Sequence, residues 1–301
     1  MKALVLINES SGNGRLGRGC FTIIHELAMA GYETTIYPIV PKAGLTSEAI
    51  LEGKDSEYDL IVCGGGDGTL NHVVDGLVKL NPRPLLGYIP AGSTNDFAKG
   101  MGISGDMHKL CHILTKGEPF AYDIGAFNDR HFNYVAAFGA FVEVSYGTDQ
   151  ELKNMLGHAA YILNGISKLQ ENITYSCRMR VESDQGVDEG EYLFGAVYST
   201  ISIGGVALKG AMRSELCDGQ LEMLLIRKPN NIVEVEQIAA KLLAGRTDSP
   251  YITFKKITNA VFRSATEVNW TLDGEYGGTL KEARIQVEPK AVSIMTPKQK
   301  K

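Results

Sequence analysis

The chain has 301 residues, enough for two domains with buried cores and too many for a small disulfide-stabilised scaffold. Apolar residues make up 44% and charged residues 22%, which is ordinary for a globular protein and argues against a disordered chain. The net charge of -5, without a long run of like charges, argues against duplex binding through a basic face, so no nucleic-acid partner is expected.

Cysteine usage and the first residues bear on where the protein works. The cysteines are odd in number, widely spaced and free of any Cys-x-x-Cys pair: Cys20, Cys63, Cys111, Cys177 and Cys217. This spacing indicates neither a disulfide framework nor a zinc knuckle, and it fits a reducing compartment. The apolar run at 3–7 is too short for a signal peptide or a membrane-spanning helix. We therefore expect a cytoplasmic protein without a transmembrane segment, in which any membrane contact is peripheral.

Through about residue 120 the chain alternates apolar strand patterns with helical patterns, which predicts an α/β domain with a parallel sheet. The predicted strands are 3–7, 33–39, 58–63 and 85–89. A helix is predicted between the first two strands, with Phe21, Ile24, Leu27 and Ala28 on its apolar face and Gly31 at its end. Two more helices are predicted, at 70–77 and 106–116.

After about residue 120 apolar and polar residues alternate with a period of two, which predicts half-buried antiparallel strands. The clearest segments are 175–182 and 283–288. Helical periods interrupt this pattern at 151–169 and 231–243. A last strand at 291–295 could return to the first domain. The boundaries that follow are 1–122 for the first domain, with 291–301 as a returning segment, and 123–290 for a β-rich second domain.

The first glycine cluster, at 12–17, matches G-x-G-x-x-G after a strand. A dinucleotide fold would place an acidic residue at the end of the second strand, but residues 37–41 contain none, which disfavours a dehydrogenase. The alternative interpretation, a turn that binds phosphate, is kept, because Ser10, Ser11, Gly12 and Gly14 leave backbone N–H groups accessible before a helix.

The second glycine cluster, Gly64 to Thr69, joins a buried strand directly to a helix. Phosphate oxygens need close N–H donors, and Asp67 could act through Mg²⁺, so nucleotide binding is favoured over Thr69 acting only as a helix cap. No Walker lysine follows. The next loop holds Gly92, Ser93, Thr94, Asn95 and Asp96, which are ordinary cap residues. We expect nucleotide contacts there because this loop lies at the same sheet edge.

These three loops, in this order, resemble those of the soluble diacylglycerol kinase-like lipid kinases, a family that includes sphingosine kinases. The GGDGT element matches 65–69 and is shared with NAD kinases and phosphofructokinases. The first phosphate stretch matches 8–12, and the third loop matches 92–98. Further matches occur at 122–125, 217–221 and 272–275, so the resemblance covers essentially the whole chain.

The resemblance implies an NAD kinase/phosphofructokinase-like α/β domain that binds nucleotide and a C-terminal β-rich sandwich that binds the lipid acceptor. It implies ATP and Mg²⁺ as cofactors, and a lipid substrate at a membrane surface. The residues assigned to the nucleotide are Asn8, Ser10, Ser11, Gly12, Val40, Gly65, Gly66, Asp67, Gly68, Thr69, Leu70, Asn71, Ser93, Thr94, Asn95 and Asp96. Val40 stands where the family often has a nucleotide-contacting Thr, so one ATP contact is expected to be missing.

The resemblance also implies the roles of the acidic residues. Asp273 would lie in a cleft between the domains and accept the proton of the acceptor hydroxyl, with Glu275 beside it. Asp67 and Asp123 would form a carboxylate and water network around the catalytic Mg²⁺. Asp218 would hold a second, structural Mg²⁺, together with backbone carbonyls near Glu215 and Gln220. Without the resemblance, the Asp-Gly pairs at 218–219 and 273–274 predict hairpin turns.

The leading expectation is therefore transfer of the γ-phosphate of ATP to diacylglycerol, giving phosphatidic acid. The segment 204–211 lacks the family's usual Ala-Pro step, which leaves the acceptor lipid open. A kinase of a soluble acceptor such as NAD is one alternative, and the elements at Asp218 and Asp273 favour the lipid branch over it. A catalytically silent lipid- or nucleotide-binding protein is another, which the acidic residues argue against. A homodimer is also left open.

Overall fold

The computed structural model describes residues 1–8, 11, 14–92, 95–140, 175–199, 202–203, 206–207, 216–244 and 246–298. The chain divides into two compact units. Unit 1 consists of residues 1–122 and 290–301, and unit 2 consists of residues 123–289. The chain passes from one unit to the other twice, each time inside a β-strand. The helix predicted at 151–169 lies outside the described residues.

Unit 1 is built on a parallel sheet. Its first four strands are β1 (Lys2–Ile7), β2 (Glu33–Pro38), β3 (Leu60–Gly65) and β4 (Leu85–Pro90). β1 lies between β2 and β3, and β3 also pairs with β4, always in parallel. β3 is buried along its whole length, as expected for a parallel strand covered on both faces. The carboxyl ends of β1, β3 and β4 therefore meet at one edge of this sheet.

Five α-helices accompany these strands in the described part of unit 1. They are α1 (Arg15–Met29), α2 (Ser47–Leu51), α3 (Asp67–Leu77), α4 (Asp96–Gly100) and α5 (Met107–Lys116), with a 3₁₀ turn at Pro41–Ala43. α5 begins where its sequence predicts, because the Asp106 carboxylate accepts a hydrogen bond from the Lys109 N–H at 2.8 Å. In the described segments, every helix is too short or too polar to cross a membrane.

The predicted apolar face of α1 is right at Leu27 and wrong at Phe21 and Ala28. Phe21 is 86% exposed, whereas Leu16, Ile23 and Leu27 are buried. The buried residues lie on the face that also carries Gly19, where an added Cβ would overlap the side chain of Met107 in α5. The packing of α5 against this small residue therefore selects the buried face of α1.

The end of the chain contributes to unit 1. The last strand, β15 (Glu275–Thr296), pairs in parallel with β4 at Ile294 and Leu86. Thr296 is fully buried, and its Oγ1 donates to the Glu118 carbonyl at 3.2 Å. Glu118 is the first residue of β5 (Glu118–Phe127). Residues 290–296 thus complete the sheet that begins at the N-terminus.

Unit 2 is rich in antiparallel strands. They are β6 (Arg130–Phe132), β7 (Val135–Gly139), β8 (Cys177–Ser183), β9 (Gly186–Tyr198), β10 (Ser202–Ile203), β11 (Val206–Ala207), β12 (Leu221–Arg227), β13 (Ile252–Ile257) and β14 (Asn259–Leu272), with parts of β5 and β15. β9 pairs with β7, β8 and β12, while β14 pairs with β7, β8 and β15. β13 pairs with β12. Helix α6 (Ile232–Leu243) follows β12, near its predicted bounds.

Two hydrophobic cores hold the described part of unit 2 together. In the first, the ring of Trp270 lies 4.8 to 5.2 Å from the rings of Phe127, Phe138 and Phe262. In the second, Val235 and Ile238 of α6 pack with buried residues of the sheet. The predicted alternation in β8 is confirmed, with apolar residues inside and arginines outside. The prediction of a β-rich C-terminal part is likewise confirmed.

Candidate active site

Asn8 ties the carboxyl end of β1 to the start of α3. Its backbone N–H donates to the Gly64 carbonyl at 2.9 Å, and its Nδ2 donates to Thr69 Oγ1 at 2.8 Å. The second loop follows at once, since β3 ends at Gly65 and α3 begins at Asp67. Gly65 leaves no room for a side chain, because an added Cβ would lie 2.6 Å from the Thr69 Cβ. The backbone at the end of β3 is therefore bare and closely packed.

The second and third loops meet backbone to backbone at Gly66 and Gly92. A Cβ on Gly92 would lie 2.7 Å from Gly66 Cα, and a Cβ on Gly66 would lie 3.2 Å from Gly92 Cα. Asn95 clamps Gly92, since its Oδ1 accepts the Gly92 N–H at 2.8 Å and its Nδ2 donates to the Gly92 carbonyl at 2.7 Å. Asn95 has a φ of 50°, a conformation that asparagine tolerates better than most residues. The described parts of the three loops thus form one connected structure.

This edge of unit 1 has the chemistry of a nucleotide site. The first N–H groups of α3 have no partner inside the helix, and the positive end of its dipole favours an anion. Asp67 adds a carboxylate in the first turn, and burial together with its negative charge raises the pKa of the Cys63 thiol. Mg²⁺ is commonly held by one or two carboxylates plus phosphate oxygens, so a carboxylate at Asp67, beside these backbone N–H groups, is of the type that could hold a Mg²⁺-nucleotide complex.

Asp273 and Gly274 form the two-residue turn between β14 and β15. Both have positive φ, 51° and 86°, and Leu272 pairs with Glu275 across them. This is the hairpin that an Asp-Gly pair predicts on its own, and that prediction is confirmed. Glu275, the first residue of β15, is partly exposed beside the turn.

The carboxylate of Asp273 is buried and held by a segment distant in sequence. It accepts the backbone N–H groups of Asn133, Tyr134 and Val135 at 2.7, 3.0 and 2.8 Å. The Tyr134 hydroxyl donates to the Asp273 carbonyl at 3.1 Å, and the Asp273 N–H donates to the Val135 carbonyl at 2.8 Å. These contacts fix the orientation of the carboxylate, because each of its oxygens accepts at least one backbone N–H.

Asp123 lies beside a second Asp-Gly turn of unit 2. Its side chain is fully buried, and Oδ2 accepts the N–H of Gly219 at 2.6 Å. The Asp123 carbonyl accepts the Ser199 hydroxyl at 3.1 Å. Gly219 has a φ of 75°, which suits glycine and lets the chain turn its N–H toward the carboxylate.

Asp218, the residue before Gly219, has a lysine as its partner. Its Oδ1 accepts the N–H of Gln220 at 3.0 Å, and its Oδ2 lies 2.9 Å from Lys256 Nζ. The same ammonium lies 3.7 Å from Glu222 Oε1. Among the described residues, no cluster of three histidine, cysteine or acidic side chains is arranged to hold a metal. The Asp218 carboxylate thus has an ammonium as its partner in this structure, and the structural Mg²⁺ site stays a prediction.

Comparisons with known proteins extend over the whole chain. Residues 2–127 match the family model described as the diacylglycerol kinase catalytic domain. The chain is 33% identical to a diacylglycerol kinase of Bacillus subtilis (strain 168), over 99% of this chain and 97% of the relative. This chain belongs to the diacylglycerol kinase family. It is also 33% identical to the diacylglycerol kinase of Staphylococcus epidermidis (strain ATCC 12228 / FDA PCI 1200), over 99% of this chain and 92% of the relative.

A solved structure agrees with the fold. The crystal structure of a diacylglycerol kinase from Bacillus anthracis str. Sterne aligns with a TM-score of 0.77 and 24% sequence identity. The alignment covers 98% of this chain and 96% of that structure. The two units of this diacylglycerol kinase family member therefore occur together in the fold of a solved protein.

The structure places the predicted site residues in three sets. In unit 1 it brings together Asn8, Gly65, Gly66, Thr69 and Asn95. In unit 2 it brings Asp123 to the turn at 218–219, while Asp273 and Glu275 lie in a separate hairpin. Predicted residues outside the described part of the chain are Ser10, Gly12, Ser93, Thr94 and Glu215.

Three of the predicted nucleotide residues are buried or lie away from the loops, and a fourth continues the first loop. Leu70 and Asn71 are buried in α3, and Val40 pairs with Leu45 in a small turn. The backbone N–H of Ser11 donates to the Asn8 carbonyl at 3.1 Å, so Ser11 continues the first loop. Their contact with nucleotide stays a prediction.

Sequence reasoning missed Lys256, Glu222 and the N–H groups of residues 133–135. Lys256 and Glu222 stand opposite each other in the register of β12 and β13. The contact becomes evident only once the strand register is known, because a charged pair at facing positions of two strands indicates a cross-strand contact.

Proposed function

We propose that this protein is an ATP-dependent kinase that transfers the γ-phosphate to the hydroxyl of diacylglycerol and yields phosphatidic acid. The observation that carries the proposal is the 33% identity to a diacylglycerol kinase over 99% of this chain. That match includes unit 2, which extends beyond the family model at 2–127. A relation confined to the glycine loops would have left the acceptor open, because those loops serve the nucleotide. Since the acceptor is a lipid, the protein works at a membrane surface.

The loops of unit 1 bind the triphosphate. Gly65 and Gly66 offer backbone N–H groups without side chains, and the N-terminus of α3 favours negative charge. Asn8 and Asn95 keep the three loops in register through their side-chain hydrogen bonds. Asp67 would hold the Mg²⁺ that accompanies the nucleotide, and the positive charge of the ion would offset the negative charge that develops during transfer.

The acidic residues of unit 2 serve the acceptor. Phosphoryl transfer has a loose transition state, so the hydroxyl needs orientation more than early deprotonation. The ordinary pKa of an aspartate is about 3.9, which makes it a weak base toward an alcohol. Asp273 therefore orients the hydroxyl and takes its proton late in transfer, from a carboxylate that backbone N–H groups hold in place. Glu275 stands beside Asp273 at this turn, and Asp123 would contribute a carboxylate to the network around Mg²⁺.

A lipid-panel assay tests the proposed activity. Purified protein is incubated with ATP and Mg²⁺ and either diacylglycerol in detergent micelles, sphingosine, NAD or no acceptor. We expect ATP consumption only with diacylglycerol, and phosphatidic acid as the labelled product. Phosphorylation of NAD in place of lipid would contradict the proposal, and ATP consumption that is the same with and without acceptor would also contradict it.

The assigned role of Asp273 is tested by Asp273→Asn. We expect turnover to be abolished while ATP binding is nearly unchanged, since the nucleotide loops lie in unit 1. The amide would also face backbone N–H donors that now point at a carboxylate, which costs about 1–3 kcal/mol of stability. Stability is therefore measured in parallel by urea unfolding.

Asp184→Asn is the matched control for this substitution. Asp184 is an exposed aspartate of the β8–β9 turn in the same unit, and its carboxylate accepts the Thr258 N–H at 3.2 Å. We expect its turnover to equal that of the unsubstituted protein. Equal turnover of the Asp273 variant would reject the assigned role.

A further inference from the structure

Lys256 brings a positive charge to the acidic turn of unit 2. It lies on β13 directly opposite Glu222 of β12. Its Nζ is 2.9 Å from Asp218 Oδ2 and 3.7 Å from Glu222 Oε1. The Glu222 side chain is only 10% exposed, and a carboxylate with so little access to water needs a compensating charge. Lys256 supplies that charge to both carboxylates at once.

The turn held by Lys256 is the one that contacts Asp123. Asp218 receives the ammonium at one oxygen and the N–H of Gln220 at the other. The next residue, Gly219, donates its N–H to the Asp123 carboxylate at 2.6 Å. A continuous series of contacts therefore leads from the Lys256 ammonium to the fully buried Asp123.

We infer that Lys256 is a positioning residue for Asp123, which it orients by holding the turn at Asp218 and Gly219. The inference rests on the proposed function, in which Asp123 contributes a carboxylate to the phosphoryl transfer. Without the ammonium, the carboxylates of Asp218 and Glu222, which now share one cation, would repel each other at the start of β12. The turn would shift, and the Gly219 N–H would lose its alignment with Asp123. A shift of about 1 Å in a catalytic arrangement can cost about a hundredfold in rate.

The kinetic test compares two adjacent lysines of β13. Lys256→Met is expected to lower kcat by about tenfold to a hundredfold, with the KM for ATP changed by less than about twofold. Lys256→Arg keeps the charge and is expected to restore most of kcat. Lys255→Met is the matched control, because it removes an ion pair of the same kind, to Asp188 at 2.6 Å. Equal loss of kcat in both methionine variants would overturn the inference.

A double-mutant cycle asks whether Lys256 acts through Asp218. We expect Asp218→Asn combined with Lys256→Met to lower kcat no further than the stronger single substitution, because both break the same contact. Additive losses would show that Lys256 acts by another route and would overturn the inference.

The labelling rate of Cys217 provides a readout that does not depend on catalysis. Cys217 precedes Asp218 and is partly exposed, so a loosened turn should expose its thiol more often. We expect Lys256→Met to raise the rate of Cys217 modification by about threefold or more relative to Cys20, and Lys255→Met to leave it unchanged. An unchanged rate in Lys256→Met would overturn the inference. A failure of lipid phosphorylation by the unsubstituted protein would instead count against the proposed function.

Discussion

Replacing Gly92 by alanine tests whether the close approach of the two glycine loops matters for nucleotide binding. The new Cβ would lie 2.7 Å from Gly66 Cα and 2.9 Å from Asn95 Oδ1. Non-bonded carbons prefer a separation of about 3.5–4.0 Å, so the loops must separate by about 1 Å. The hydrogen bonds by which Asn95 holds Gly92 would be strained by the same movement. Such overpacking costs about 1–3 kcal/mol of folding free energy.

Gly92→Ala should also slow the reaction, beyond its effect on the free energy of unfolding. A misplacement of about 1 Å costs up to about a hundredfold in rate. We therefore expect kcat/KM for ATP to fall by about tenfold to a hundredfold in Gly92→Ala, which corresponds to about 1.4–2.7 kcal/mol. Steady-state assays at varied ATP and fixed diacylglycerol measure this ratio, and urea unfolding measures the change in stability separately.

Two further glycine substitutions calibrate the result. Gly66→Ala brings its Cβ only to 3.2 Å from Gly92 Cα, so a smaller loss in kcat/KM is expected. Gly17→Ala lies in α1 with no atom within 4 Å of its Cβ, and it should stabilise the protein by about 0.5–1 kcal/mol without a kinetic effect. If Gly92→Ala kept the kcat/KM of the unsubstituted protein, the approach of the two loops would not govern nucleotide binding.

Two other predictions concern titratable groups. Burial raises the pKa of Cys111 and Cys177 to about 11, and burial with the charge of Asp67 raises that of Cys63, so these thiols should resist a thiol reagent near pH 8. Mass spectrometry should find first modification at the partly exposed Cys20 and Cys217, and early labelling of a buried thiol would contradict the packing. Burial raises the pKa of Glu48, but its hydrogen bonds, led by the one from His72 at 2.6 Å, lower it overall. The stability that this carboxylate contributes is present above the unfolded pKa of about 4.3 and is lost as the pH falls. Glu48→Gln should therefore lower the free energy of unfolding by about 0.2–1 kcal/mol at neutral pH and by little in acid. Urea unfolding at the two pH values measures both effects.

Some elements could be predicted from sequence because burial leaves a direct pattern. In β8, Cys177, Met179 and Val181 alternate with charged residues, and a period of two has one interpretation. The helix α1 was harder, since apolar residues occur on more than one of its faces. Period alone could not choose between Phe21 and Ile23, because the choice depends on the surface of α5 that α1 meets.

The candidate active site could likewise be predicted only in part. Glycine spacing predicts bare backbone at the ends of β3 and β4, because few other roles need so many glycines at that place. The partners of the acidic residues could not be predicted in this way. The Asp273 carboxylate is held by N–H groups up to 140 positions away, and Asp218 pairs with a lysine 38 positions away. Such contacts depend on strand register in unit 2, which local composition does not encode.

The return of β15 to β4 has a consequence for how the protein is made. Ile294 and Thr296 are fully buried in the sheet that the first residues begin. During synthesis, β4 cannot pair with β15 until nearly the entire polypeptide has left the ribosome. Until then one edge of β4 is unpaired, and an unpaired strand edge is prone to aggregate. A recombinant fragment cut after residue 127, where the matched family model ends, would keep that edge open permanently. Expression of the nucleotide-binding half alone would then require residues 290–298 to be grafted back.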